Sequence, residues 1–534
     1  MRRSTLGTHS LALGLVAAAL AGCGGGGNGG SKAGPNAKFV DGATFTYGLS
    51  SDPGKLDPQM GAGSSLLTIT QFAYDSLLSV DGKTGRVQSQ LAKSWQVRGN
   101  TVSLTLAQGV TCSDGAKLTA TDVADNVNFI ADPKNQSPFL GAFLPAGAKA
   151  TGDNAAGAVT ITLAKPAPFV LNGLAGLPIV CQSGLKNRSA LKAGTAGTGP
   201  YQLSEAAPGD HYTYALRKGY TWGPNGATTA ARGMPAKVVV KVVGNETTTA
   251  NLLLSGGLTA AQVIGPDAQR LEKAGLFAAK TSAIVGEQWY NQAKGRATGD
   301  PKVRMALTQA LDLGQLQKVL TSGHGTAATT LAAIEPTACP GNSVSGALPA
   351  SDAKAAGALL DQAGWTPGGN GVRTKGGRPL KLTFLYQNNT GSAGDAAAEL
   401  AVQQWKAVGV EATAKGANET TLTGTIFGAG NWDIAWVALN VNSPDQLVPF
   451  FSGPAAPKGT NFASISNPDY DAAVKATTAA GSAGCPGWLK AESSLIAKAD
   501  VVPFANNVVR TFGRNAEFQT PGQLIPTSIR MLAK

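Results

Sequence analysis

Residues able to do covalent or metal chemistry are few in this chain, and their spacing assembles none of them into a reacting set. Ser183-Gly184-Leu185-Lys186 has the S-x-x-K spacing in which a lysine can activate a serine, and Lys83-Thr84-Gly85 supplies a K-T-G, both elements of penicillin-binding enzymes. The two occur in reverse order, no S-D-N element accompanies them, and Lys83 follows an Asp81-Gly82 turn. Chance in a Gly- and Ser-rich chain accounts for both. His211 and His324 are the only histidines beyond the leader segment described below, and they complete no Ser-His-acid set. Gly194, Gly197 and Gly199 do not form G-x-G-x-x-G, and no Walker loop occurs, so no phosphate cradle is expected. Cys23, Cys112, Cys181, Cys339 and Cys485 contain no C-x-x-C pair, which argues against a Cys/His metal site. The expectation is a protein that is not an enzyme and carries no cofactor and no metal.

With 534 residues the chain exceeds one ordinary hydrophobic core, and two or three domains are expected. The formal net charge is +12, but the Lys and Arg residues are scattered singly without a basic stripe, so nucleic acid is not an expected partner. The amino terminus sets the address. Arg2 and Arg3 precede an apolar stretch at residues 11–20, too short to span a bilayer and suited to a secretory leader. Leu20-Ala21-Gly22-Cys23 resembles the lipobox of bacterial lipoproteins, which implies a signal peptide over 1–22 and a lipidated Cys23. Residues 24–30 are glycines with one asparagine, and 23–37 read as a flexible Gly-rich tether. Two or more acyl chains hold a protein at a membrane where one is marginal, so a lipid-anchored location on the extracytoplasmic face of the cell membrane is expected. The other four cysteines are an even set in an oxidising compartment.

Stepping inward, the elements alternate. Residues 43–49 alternate apolar and polar and predict a strand. Leu66, Ile69, Phe72, Ala73 and Leu77 have helical spacing over 65–78. Residues 101–107 predict a strand, followed by an Asp114-Gly115 turn and a helix with Thr119 as N-cap and Asp122 completing a capping box. Further strands are predicted at 236–243, 283–292, 380–386, 410–415, 431–438 and 501–511. Helices are predicted from Thr247, over 353–365 and over 395–408. This alternation predicts an α/β fold.

Four blocks carry a resemblance. The first is Leu91-Ala92-Lys93-Ser94-Trp95 with Gly109-Val110-Thr111-Cys112-Ser113-Asp114-Gly115-Ala116-Lys117-Leu118-Thr119-Ala120-Thr121-Asp122-Val123. The second is Gly197-Thr198-Gly199-Pro200-Tyr201 with Pro208-Gly209 and Arg217-Lys218-Gly219-Tyr220-Thr221-Trp222-Gly223. The third opens Asp300-Pro301-Lys302-Val303-Arg304, and the fourth ends Ala363-Gly364-Trp365. In this order they resemble the bacterial extracellular solute-binding proteins of family 5, the peptide- and nickel-type binding subunits of ABC importers. Cys112 and Lys117 depart from the family pattern, where an aromatic or small residue and a proline are usual.

The resemblance implies a bilobal periplasmic-binding-protein-like clamshell, type II, with an extra subdomain. Lobe I would be discontinuous over 38–75, 196–283 and 505–534, the subdomain would be 76–195, and lobe II 284–504, with a hinge where the chain crosses near 284 and 504. Each lobe-contained cysteine pair then suggests a disulfide, Cys112–Cys181 and Cys339–Cys485. The implied function is capture of a peptide or similar small polar solute and delivery to an ABC permease, by a monomer. A sensor or adaptor on the same scaffold is the alternative, with a cell-surface hydrolase a distant third.

Implied site residues lie in two stretches. Trp436 matches a cleft tryptophan of the family and is the expected stacking surface, with Trp432 beside it. Asn440 falls near the acid that pairs with a peptide's α-amine, and an amide offers that amine no charge. Asp445 reads as a turn or cap residue. Trp289, Tyr290 and Asn291 lie where the chain crosses into lobe II, with cleft and hinge packing both open.

Overall fold

The structure is a computed structural model that describes residues 38–533 apart from 62, 479 and 481–483. The expected leader over 1–22 and the whole of the expected tether over 23–37, Cys23 included, lie outside the described residues.

Two lobes share one ten-stranded sheet. Its order is Glu411–Ala417, Lys381–Gln387, Ile434–Trp436, Phe277–Tyr290, Val501–Gly513, Ala260–Val263, Thr44–Leu49, Lys237–Val242, His211–Leu216 and Tyr201–Ala207. The first three strands are parallel and belong to one lobe, the last five to the other. Phe277–Tyr290 and Val501–Gly513 run antiparallel between them and connect the two groups of strands. Thr44–Leu49 is in the sheet because its apolar alternation buries Phe45, Tyr47 and Leu49 on one face.

The pairing of Phe277–Tyr290 with Val501–Gly513 is broken where the lobes meet. Register shifts fall between Ile284 and Gly286 and between Gly286 and Glu287, opposite the stretch from Pro503 to Asn506. Such bulges bend a strand and re-aim the side chains after it. Glycine is required at 286 because a Cβ there would lie 2.5 Å from the Phe504 ring.

A separate antiparallel sheet of Ala92–Arg98, Thr101–Leu106, Ala158–Thr162 and Lys149–Asp153 packs under the helix Ala120–Ala131. Its core holds Val102, Leu104, Val123, Val127 and Ile161. Thr119 and Asp122 form the reciprocal capping box at that helix's start. The unit is tied to the first lobe through Asp75. Its wholly enclosed carboxyl accepts from Tyr220 Oη (2.8 Å), Gln90 Nε2 (2.8 Å), Thr198 Oγ1 (2.9 Å) and Trp222 Nε1 (3.0 Å). Much of the second sequence block therefore serves one buried acid. The disulfides Cys112–Cys181 and Cys339–Cys485 are both formed, closing separations of 69 and 146 residues.

The second lobe has a core on each sheet face. Phe384, Trp405, Trp436 and Tyr290 fill one, and Trp289, Trp432, Phe451 and Phe462 the other. Three local expectations are corrected. The helix predicted over 65–78 ends at Thr70, and Leu78–Val80 is a strand, because burial of Phe72, Ala73 and Leu77 in a turn satisfies the same apolar spacing. The strand at 283–292 starts earlier, at Phe277, since it continues between the two groups of strands. The strand at 431–438 shortens to Ile434–Trp436.

Candidate functional site

Strand direction places a crevice between the lobes. Ala260–Val263 is antiparallel to Val501–Gly513, which arrives from the second lobe, so its carboxyl end points toward that lobe. Ile434–Trp436 is antiparallel to Phe277–Tyr290, which arrives from the first, so its carboxyl end points back. Ligands of open α/β sheets sit beyond such carboxyl ends.

Side chains of the two lobes touch across this region. From the first turn of the helix Glu419–Gly424, Glu419 reaches the first lobe, where its Oε1 accepts from Ser64 Oγ (2.6 Å) and its Oε2 from the Ser65 N–H (3.1 Å). Thr420 Oγ1 donates to the Asp52 carbonyl at 2.9 Å. On another margin Phe169 of the extra subdomain lies 6.2 Å from Trp488, in a cluster that includes Cys339. None of these residues carried a sequence signal, since each is an ordinary polar or apolar residue until the lobes meet.

The sequence-expected residues divide between the two sheet faces. Trp289 and Tyr290 are neighbours on one strand, and successive side chains point oppositely. Trp289 stacks on Phe451 at 5.0 Å, and its Nε1 donates to the Val437 carbonyl at 2.8 Å. Trp432 shares that face, wholly buried, and its Nε1 has no hydrogen-bond partner. Asn291 holds the approach to Trp432, donating from Nδ2 to the Trp432 carbonyl at 3.0 Å. Tyr290 faces the other way, its hydroxyl bonded to Thr308 and Gln288.

Trp436 is on Tyr290's side of the sheet. It is 6% exposed, with Phe384 at 4.9 Å and Phe504 at 5.1 Å, and its Nε1 donates to Gln288 Oε1 at 3.0 Å. Asn440 is likewise occupied. Its Oδ1 accepts from the Ile284 N–H (2.9 Å) and its Nδ2 donates to the Ile284 carbonyl (3.1 Å), stitching the loop to Phe277–Tyr290 beside the bulge. Asp445 lies in the short turn Pro444–Leu447, and burial pushes its carboxyl up to about 6.

The residue sequence reasoning passed over is Glu287. It follows the bulge, two positions before Trp289, and is wholly buried. Its Oε2 accepts from the Leu439 N–H at 2.8 Å, and the Trp289 side chain also interacts with its carboxyl. Burial pushes its carboxyl up to about 8, and the nearby acid Glu492 adds to the rise. Among the described residues no group of His, Cys, Asp and Glu could hold a metal. A cavity of about 570 Å³ lies to one side, lined by Phe39, Lys83, Phe277, Glu335, Phe518 and Arg530 among others, and none of the expected site residues borders it.

Two lobes joined by a pair of long antiparallel strands and touching through Glu419 and Thr420 form a clamshell. Residues 86–458 match the family described as bacterial extracellular solute-binding proteins, family 5 Middle. The chain belongs to this family, whose members are non-enzymatic carriers working with ABC permeases. It is 28% identical over 407 residues to Protein XP55 of Streptomyces lividans, covering 72% of this chain and 69% of that one. It is 25% identical over 456 residues to the periplasmic murein peptide-binding protein MppA of Escherichia coli, covering 79% and 80%. Its fold superposes with TM-score 0.79 on a substrate-binding protein from Microbacterium hydrocarbonoxydans complexed with 4-hydroxybenzoate hydrazide, at 26% identity, covering 92% of this chain and all of that one. Among the described residues no helix is long and apolar enough to cross a membrane.

Proposed function

We propose that this protein is the lipid-anchored, extracytoplasmic receptor of an ABC importer for short peptides or similarly small polar organic solutes. The observation that carries the reading is the bulged strand pair Phe277–Tyr290 and Val501–Gly513 joining two lobes that also touch through Glu419 and Thr420. Closure of whole lobes about such a strand pair sequesters a ligand from water. The name of MppA supports a peptide, and the ligand of the Microbacterium protein supports a small aromatic hydrazide as a comparison solute.

The lobes in this reading are 38–75, 196–283 and 505–534 against 284–504, with 76–195 moving with the first. The candidate solute contacts in this reading are Trp289, Tyr290, Asn291, Trp432, Trp436 and Asn440, on and beside the paired strands Phe277–Tyr290 and Ile434–Trp436. Calorimetry and thermal shift with a peptide panel and 4-hydroxybenzoate hydrazide test the reading. Saturable binding accompanied by stabilisation supports it, whereas no response and no ligand carried through native mass spectrometry would refute it. Anchoring through Cys23 is tested by Cys23→Ala, which should move the protein from the membrane fraction into the medium.

A further inference from the structure

The cavity of about 570 Å³ lies outside the crevice and has the size of a small-molecule site. Its floor is apolar. Phe277, Ala279 and Thr281 alternate along Phe277–Tyr290 and so share one face of that strand. Phe518 stands edge-on to Phe277 at 5.2 Å and to Phe45 at 6.0 Å, which fixes its ring.

Segments far apart in the chain build the rim, and each is held in place. The turn between Leu78–Val80 and Val87–Ser89 is tied by Asp81, whose Oδ1 accepts from the Lys83 N–H (3.1 Å), the Thr84 N–H (2.8 Å) and Thr84 Oγ1 (2.8 Å). This turn is wedged between two prolines: a Cβ at Gly82 would lie 2.4 Å from Pro521 Cβ, and one at Gly85 2.9 Å from Pro336 Cγ. Thr281 Oγ1 donates to the Thr520 carbonyl at 2.8 Å. The stretch from Thr520 to Gln523 stands between the cavity and the crevice. Pro521 lines the cavity, while Gln523 Oε1 accepts from Thr68, on the helix whose start Glu419 reaches.

The charges on the lining select an occupant. Lys83, Lys280 and Arg530 are matched by Asp81, Glu335 and Glu517, so neither sign prevails. Asp81 is used by its own turn, and Lys280 lies 3.7 Å from Glu272. Arg530 donates to the Thr527 (2.9 Å) and Ile529 (2.7 Å) carbonyls and feels the charge of Glu517, its partner across the paired strands. The Lys83 ammonium acts on Asp81 through its field, and neither it nor the Glu335 carboxylate makes an ion pair or hydrogen bond among the described residues. One cation and one anion are thus left above an aromatic floor.

We propose that this cavity is a second ligand site, separate from the crevice, for a free α-amino acid with an apolar side chain. The ligand's carboxylate meets Lys83, its ammonium meets Glu335, and its side chain lies on Phe277 and Phe518. A simple anion would satisfy Lys83 but face the like charge of Glu335, and a simple cation the reverse; a zwitterion satisfies both with charge-assisted hydrogen bonds. The side chain leaves water for the aromatic floor.

The test titrates L-phenylalanine, L-leucine, 3-phenylpropanoate and 2-phenylethylamine calorimetrically into the mature wild-type protein, Lys83→Ala and Glu335→Gln, with melting temperatures near wild type confirming that the variants fold. The expected result is saturable binding of the two amino acids to wild type, at least about tenfold weaker binding of the two single-charge analogues, and about tenfold or greater loss of amino-acid affinity in each variant. Peptides of the panel should bind all three proteins alike. Amino acids that bind wild type and both variants equally, or analogues that match L-phenylalanine, overturn the site. So does parallel loss of peptide and amino-acid binding in the variants, which would put these residues in the crevice. Absence of amino-acid binding to wild type overturns this inference and leaves the receptor reading to the peptide panel.

Discussion

A single buried carboxyl on the strand Phe277–Tyr290 has consequences that can be measured without a solute. Because Glu287 is pushed up to about 8, the folded protein holds a proton between roughly pH 4.5 and 8 that the unfolded chain has released. Unfolding therefore becomes easier as pH rises through that window. Asp445, at about 6, acts with the same sign over the lower part of it. The expected outcome is a melting temperature that falls from pH 5 to pH 8 in the solute-free protein, with a shallower fall in Glu287→Gln; calorimetric scans across buffers check it. Asn440 gives a second test at this scale. Removing its two hydrogen bonds to Ile284 in Asn440→Ala should cost about 1–3 kcal/mol in urea denaturation, whatever its effect on solute.

Among the elements, the closing contacts and the subdomain tie are separable. Glu419 and Thr420 project from one helical turn onto Asp52, Ser64 and Ser65, so the closed state gains what those contacts supply and the open state does not. Exposed contacts of this kind are individually weak. Glu419→Ala should leave the melting temperature nearly unchanged, shift the solute-free protein toward larger dimensions in small-angle scattering, and weaken solute binding about fivefold. Asp75 is the opposite case. In Asp75→Asn an amide nitrogen replaces an oxygen that accepts two donors, and stability should fall by about 3 kcal/mol in urea unfolding while closure is unaffected.

At the scale of the molecule, two covalent clamps and one continuous sheet hold the parts together. The Cys339–Cys485 bridge closes 146 residues of the second lobe and lies against the Phe169–Trp488 contact. Replacing both cysteines with serine should cost roughly 2–4 kcal/mol, read by denaturant unfolding, because the unfolded chain regains the entropy of that loop. The continuous sheet also explains the split among the tryptophans. Trp289 and Trp436 lie in adjacent strands, but Trp436 is opposite Gln288, so the pleat sends the two indoles to opposite faces.

The sequence by itself determined the family and the scaffold, because these rest on local patterns. The capping box at Thr119 and the Gly197-Thr198-Gly199-Pro200-Tyr201 turn depend on residues close in the chain, and an even cysteine set can pair within lobes. What only the tertiary structure decided was which face of the sheet each candidate residue occupies. Trp289 and Trp436 lie in adjacent strands yet pack into separate cores on opposite faces of the sheet. Whether a side chain faces solute depends on strand register, on the bulge at 284–287, and on contacts such as Glu419 to Ser64 across more than 350 residues. None of those is encoded in the spacing of neighbouring residues; they exist only once the two connecting strands have paired.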